Sequence, residues 1–157
     1  MTLRKGVTYD ATGKIVSCLF CRICDLKEPG TIVLSNDIFV AFKTIAPVTH
    51  NHILVSPREH IQNINSLAGP EGASLIEEMV EFGRKSLGKD ADNAQYSFHV
   101  PPFNSIDHLH LHCIANPEQM SWTGWMKYCP GSMWCITAES LIANLRGQDT
   151  SDGNAVK

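Results

Sequence analysis

No apolar run in this 157-residue chain approaches the ~20 residues that a membrane-crossing helix needs. The first 14 residues are polar and contain nothing like the apolar centre of a secretory signal, so export is not expected. Charge is also scarce. Asp, Glu, Lys and Arg make up 18% of the chain and sum to −3, which offers no general attraction to nucleic acid. There is no internal repeat, no low-complexity segment and no Gly-rich phosphate loop, so neither a solenoid nor a P-loop is expected. These absences point to the cytoplasm, or the nucleus, where thiols stay reduced. The 6 cysteines then need an explanation other than disulfides, and Cys18, Cys21 and Cys24 lie close together.

Hydrophobic residues make up 43% of the chain, enough to build the core of one domain. Residues 1–14 and the tail 147–157 lack apolar periodicity and are expected to be flexible ends around a domain spanning 15–146. Cys18–Asp25 reads as a short helix or knuckle, closed by Glu28-Pro29-Gly30. Thr31–Ser35 and Asp37–Lys43 read as strands around a turn at Ser35-Asn36-Asp37, and His52–Ser56 as a strand stopped by Pro57. From Pro70 to Leu87, Leu75, Ile76, Met79, Val80 and Leu87 recur at helical spacing, with Pro70 suited to the start and Gly88 to the stop. Gln95–Val100, Asp107–Ile114 and Met133–Ile136 read as further strands. Thr137 is placed to cap a short helix that buries Leu141, Ile142 and Leu145. One long helix among clustered strands predicts an α+β domain with a mostly antiparallel, five-stranded sheet and a short C-terminal helix.

Three of the chain's 7 histidines stand in the run His108-Leu-His110-Leu-His112. Strand side chains alternate, so the imidazoles share one face while Leu109, Leu111 and Cys113 share the other. Packing explains such a run poorly, because every buried imidazole needs a hydrogen-bond partner. Cys18-x-x-Cys21 is half of a zinc site by spacing, but a redox pair or chance gives the same pattern.

The triad, the preceding Pro101-Pro-Phe-Asn-Ser105 and the later Trp134-Cys-Ile-Thr-Ala-Glu-Ser-Leu-Ile142 resemble the histidine triad proteins. The match runs from about Cys18 to Arg146 and looks most like the third Hint branch and the related aprataxin catalytic domain. The resemblance implies a histidine-triad-like fold, a homodimer whose sheets join, and a nucleotide-binding hydrolase acting on nucleoside monophosphates and their conjugates. It makes His110 the nucleophile and His112 a donor to phosphate. Ser105, otherwise a plain turn serine, would reach the phosphate or the leaving group. His52, otherwise a strand-end residue, would reach the phosphates, and Asn104 would be a ligand contact. Histidine suits such roles because its pKa lies near neutrality.

In the family, two histidines complete a zinc site with the CxxC pair. The matching positions are His60, in Pro57-Arg-Glu-His60, and His108, which predicts a structural zinc on Cys18, Cys21, His60 and His108. Cys24 is left as a packing or spare thiol, and Cys113, Cys129 and Cys135 as small core residues. One departure stands out. Where Hint proteins carry an aspartate that grips the ribose diol, this chain reads Phe42-Lys-Thr44-Ile45-Ala-Pro47. Phe42 and Ile45 keep the apolar walls of a base pocket, but Thr44 offers only one hydrogen bond. The expected activity is therefore a purine nucleoside phosphoramidase with reduced ribose selectivity. A nucleotide-binding module with incidental catalysis, or removal of AMP from nucleic-acid ends, is the alternative. No membrane partner is expected, nor a nucleic-acid one.

Overall fold

A computed structural model describes residues 1–27 and 29–152, with side chains to residue 148. The chain opens with strands β1 (Thr2–Arg4), β2 (Val7–Tyr9) and β3 (Ile15–Cys18), then helix α1 (Leu19–Cys24). Strands β4 (Ile32–Ser35), β5 (Phe39–Lys43) and β6 (His52–Pro57) lead to the long helix α2 (Gly69–Leu87). After it come β7 (Ala94–His99), β8 (Leu111–Ala115), α3 (Trp122–Lys127), β9 (Cys135–Thr137) and α4 (Ala138–Asp152). The first three strands form a small sheet of their own. The other six form one sheet in the order β4-β5-β6-β8-β7-β9, with every pairing antiparallel.

Local chemistry accounts for most of these elements. Asn36 turns the β4–β5 hairpin, its side-chain oxygen accepting from the amides of Ile38 and Phe39 at 2.8 and 2.7 Å. Gly88 ends α2 at φ +61°, a conformation that costs glycine little. Gly83 lets α2 approach the sheet, since a Cβ there would stand 2.6 Å from the Cys113 sulfur. Thr137 caps α4 as expected, its hydroxyl accepting from the Ser140 amide at 3.2 Å.

The sheet has two differently covered faces. Phe39, Ala41, Ile53, Val55, Phe98, Leu111 and Cys113 pack beneath α2 and α4 as the main core. Val40, Phe42 and Leu54 project the other way, onto Val7, Cys18, Phe20 and Ile23 from the N-terminal strands and α1. Everything chemical lies on that second face.

Several expectations need correction. The sheet has six strands rather than five, because Cys135–Thr137 adds a full rung set to β7. Pairing in the histidine run starts only at Leu111, not at Asp107. Before it, the Asp107 amide bonds to the Lys5 carbonyl at 2.9 Å and the Leu109 amide to the Ile61 carbonyl at 2.7 Å. In α2, Leu75 and Val80 are only partly buried, while Ala73 and Phe82 join the core. Residues 1–14 hold β1 and β2, joined by the two-residue turn Lys5-Gly6 at φ +48° and +72°. Val7 is completely buried there. Helix α4 runs on through 147–152 of the expected tail; residues 153–157, and Glu28 of the expected 28–30 stop, lie outside the described residues.

Candidate active site

The alternation expected of the histidine run is kept even where strand pairing is absent. Leu109, Leu111 and Cys113 enter the main core, while the three imidazoles stay on the opposite face. They then part company. His110 and His112 line a pocket of about 310 Å³, and His108 turns to a cluster of thiols.

Hydrogen bonds fix which nitrogen carries each proton. Nδ1–H of His110 donates to the His108 carbonyl at 2.7 Å, which leaves its Nε2 with a free lone pair. The Val48 amide donates to Nδ1 of His52 at 3.2 Å, so Nε2 of His52 must be the protonated nitrogen. That nitrogen donates to Nδ1 of His112 at 3.0 Å. His112 therefore carries its proton on Nε2, which is buried and has no protein partner among the described residues. An orphaned buried donor is costly unless something else accepts from it. Burial pushes His52 and His110 down to about 4 and His112 well below the ordinary histidine value, with neighbouring imidazoles adding to the effect on His52 and His112. All three are neutral at pH 7. The pocket thus presents one acceptor nitrogen and one donor nitrogen on rings 5.1 Å apart.

Phe42, Thr44, Ile45 and Ser105 also line this pocket. Thr44 accepts from the Ala46 amide at 3.3 Å, which leaves its hydroxyl proton as the one hydrogen bond it can give outward. Two expected residues stand elsewhere. His52 does not line the pocket and meets it only through His112. Asn104 is also outside the lining. Its amide donates to Asp107 at 2.9 Å and its oxygen accepts from Lys5 at 3.0 Å, so its polar atoms already have partners. Lys5 further donates to the carbonyls of Pro102 and Asn104 at 2.5 and 2.6 Å. The N-terminal hairpin thereby braces the loop that carries Ser105. Gly6 lies so close to this loop that a Cβ would stand 2.7 Å from Ile106.

Lining residues that sequence reasoning missed include His99, Lys127 and Tyr128. His99 ends β7, beside the triad strand, and bonds the Lys127 carbonyl at 3.1 Å. The buried Tyr128 ring lies 4.9 Å from His112 and 5.3 Å from His52, centre to centre. The alternation of Ser97 and His99 was the available signal for His99; α3 offered none.

The second cluster gathers Cys18, Cys21, His60 and His108, whose donor atoms all lie within 4.8 Å of one another. Nδ1 of His108 is 3.4 Å from both sulfurs, and Nδ1 of His60 is 3.4 Å from Cys21. Tetrahedral bonds of about 2.0–2.3 Å would separate nitrogen and sulfur ligands by roughly 3.3–3.8 Å, so the donor set fits a small cation. Second-shell bonding agrees: Nε2–H of His108 donates to the Pro57 carbonyl at 2.8 Å, which leaves Nδ1 as the ligand atom. Burial, followed by the Cys18 thiol, pushes Cys21 up to about 12, a charge state that a cation would reverse. Cys24 is buried outside the cluster; Cys113 and Cys135 are core residues and Cys129 is half-buried.

Comparison with known proteins agrees with this geometry. Residues 17–127 match the family described as scavenger mRNA decapping enzyme C-term binding. The chain is 38% identical to the adenosine 5'-monophosphoramidase HINT3 of Xenopus tropicalis over 150 residues, covering 92% of this chain and 94% of that protein. It is 37% identical to the bifunctional adenosine 5'-phosphosulfate phosphorylase/adenylylsulfatase HINT4 of Arabidopsis thaliana, covering 83% of this chain and 92% of that protein. Among solved structures, a HIT family hydrolase from Legionella pneumophila superposes with a TM-score of 0.59 at 27% identity, covering 69% of this chain and 99% of that one. A HIT family protein from Bacillus anthracis covers 90% of this chain and 99% of its own, with a TM-score of 0.56 at 26% identity. The chain belongs to the histidine triad superfamily, in its Hint branch.

Proposed function

We propose that this protein hydrolyses purine nucleoside 5′-phosphoramidates and related nucleoside monophosphate conjugates through a nucleotidyl-histidine intermediate. The observation that carries the proposal is the opposite tautomers of His110 and His112 at one pocket wall. Nε2 of His110 attacks phosphorus, the P–N bond breaks, and the amine leaves with its electron pair and a proton. Water then attacks the P–N bond to His110 and releases the nucleoside monophosphate. Nε2–H of His112 donates to a non-bridging oxygen, where negative charge grows in each step. Ser105, exposed at the pocket, serves the same oxygens or the leaving group. Phe42 and Ile45 wall the base, and Thr44 gives the ribose a single hydrogen bond. His52 is a positioning residue that holds the tautomer of His112. The relatives named as adenosine 5'-monophosphoramidases support the substrate class.

Zinc is the cation we assign to Cys18, Cys21, His60 and His108. It would tie α1 to the first triad histidine and take no part in the chemistry. Thiolate ligands need a reducing compartment, which favours the cytoplasm or the nucleus. The sheet has edges at β4 and β9, and pairing of two copies along one of them is the homodimer that the family resemblance implies. The substrate is a mononucleotide conjugate, held in a pocket of about 310 Å³, rather than a nucleic-acid end.

The test is a rapid quench of the wild-type protein with adenosine 5′-phosphoramidate, followed by mass spectrometry. An adenylyl adduct on His110 is expected. Turnover without any adduct would sink the covalent mechanism, and nucleotide binding without turnover would leave a binding module.

A further inference from the structure

The charge lining the pocket is of one sign. Lys43 and Lys127 line it and no Asp or Glu does among the described residues, although the whole chain carries −3. The two lysines come from different elements, β5 and α3. Lys43 lies between Phe42 and Thr44, at the apolar end that suits a nucleoside. Lys127 closes α3, is exposed, and forms no ion pair among the described residues. Its ammonium lies 5.6 Å from the centre of the Tyr128 ring, and that ring packs 4.9 Å from His112 and 4.8 Å from His99. Burial first, with a smaller contribution from the Lys127 charge, holds His52, His99 and His112 below the ordinary histidine range.

Lys127 is the lysine tied to the phosphate-facing imidazoles, because its ammonium lies on the Tyr128 ring that packs against His112 and His99. Neutralising the transferred phosphoryl group does not require this lysine, because His112 already offers that group a donor. We propose that Lys127 forms a subsite for an anionic leaving group, the carboxylate or sulfate of a nucleoside 5′-monophosphate conjugate. The inference rests on the hydrolase reading and narrows its substrate class. With an amino-acid conjugate, the P–N bond breaks, the amine takes a proton, and the carboxylate stays paired with Lys127 throughout. With a sulfate conjugate, the P–O bond breaks and the electron pair remains on sulfate, which needs no proton.

Two matched pairs test this: the adenosine 5′-phosphoramidates of alanine and alaninamide, and adenosine 5′-phosphosulfate against the simple phosphoramidate. Affinity is read by calorimetry in a His110→Asn background, where turnover is blocked, and kcat/KM is read separately in the otherwise unaltered chain. At low ionic strength the anionic member of each pair is expected to bind about three- to tenfold tighter. Lys127→Met should bring that ratio to about one, Lys127→Arg should keep it, and added salt should erode it. Loss of preference in both arms marks a general anion subsite, and loss in one arm names its anion. Ratios that Lys127→Met leaves unchanged in both arms overturn the proposal. A preference in binding without turnover of any conjugate would sink the hydrolase reading and leave the subsite standing.

Discussion

At the sulfur cluster, His108 donates through Nε2 to Pro57 and turns Nδ1 toward two thiols. In the pocket, His110 does the reverse, donating through Nδ1 and leaving Nε2 for an incoming ligand. Two residues of one extended run thus hold opposite tautomers, and in each case a backbone carbonyl makes the choice. The carbonyl that fixes His110 belongs to His108 itself, so the residue proposed to hold the metal and the one proposed as nucleophile are joined by a 2.7 Å bond. On the proposed roles, one run of histidines serves the fold at one end and the chemistry at the other.

That division is tested most strongly by His110→Ala. If the imidazole acts by bonding in the transition state, kcat should fall by roughly 10³-fold or more, with mononucleotide affinity within about tenfold of wild type. The melting temperature should move little. Cys18→Ser should do the opposite. Metal content should drop from about one zinc per chain, and the loss of several kcal/mol of binding-coupled folding energy should lower the melting temperature by about 10 °C. Any protein that remains folded should still form the His110 adduct. A Cys18 variant that is fully stable yet inactive would reverse the assignment of the two regions.

Acid should weaken the pocket on its own account. Burial holds His52 down at about 4 and His112 well below its ordinary value, whereas in the unfolded chain both titrate near 6.5. The unfolded state therefore binds more protons below that value. Stability is complete above about pH 6.5 and is lost as pH falls toward 4, by at most about 1.4 kcal/mol per pH unit for each imidazole. Denaturant melts across this range should show the slope. His52→Gln, remote from the thiols, should flatten it; an unchanged slope would place the acid sensitivity at the sulfur cluster instead.

How much of this was legible in the sequence depended on whether a signal was periodic or positional. The alternation of His108, His110 and His112 named the right face, because period-two geometry survives even where the strand is unpaired. The proximity of Cys18, Cys21, His60 and His108 was legible as two short spacings plus the family likeness, and the fold draws all four together. Asn104 lies outside the pocket lining with Asp107 and Lys5 as partners, which its residue type gave no means to foresee. The N-terminal hairpin was missed although Lys5-Gly6 between two β-prone triplets carried a turn signal. Lys127 and Tyr128 reach the pocket from a helix with no periodic tie to the histidine run, and only the tertiary fold brings them there.

The apolar end of the pocket provides the smallest and most specific test. Thr44 stands where the family resemblance implies a carboxylate that accepts from both ribose hydroxyls, and its neutral oxygen already accepts once, from the Ala46 amide. Thr44→Asp introduces a charged acceptor beside Lys43 in the wall, which offsets part of the charge. Binding of AMP should tighten relative to its 2′-deoxy analogue by roughly 1–2 kcal/mol, the worth of one charge-assisted bond gained. Competition titrations with the two nucleotides read this ratio directly and cancel any general effect on the pocket. An unchanged ratio would mean that the diol is held by other groups, and that Thr44 lines the wall without touching the sugar.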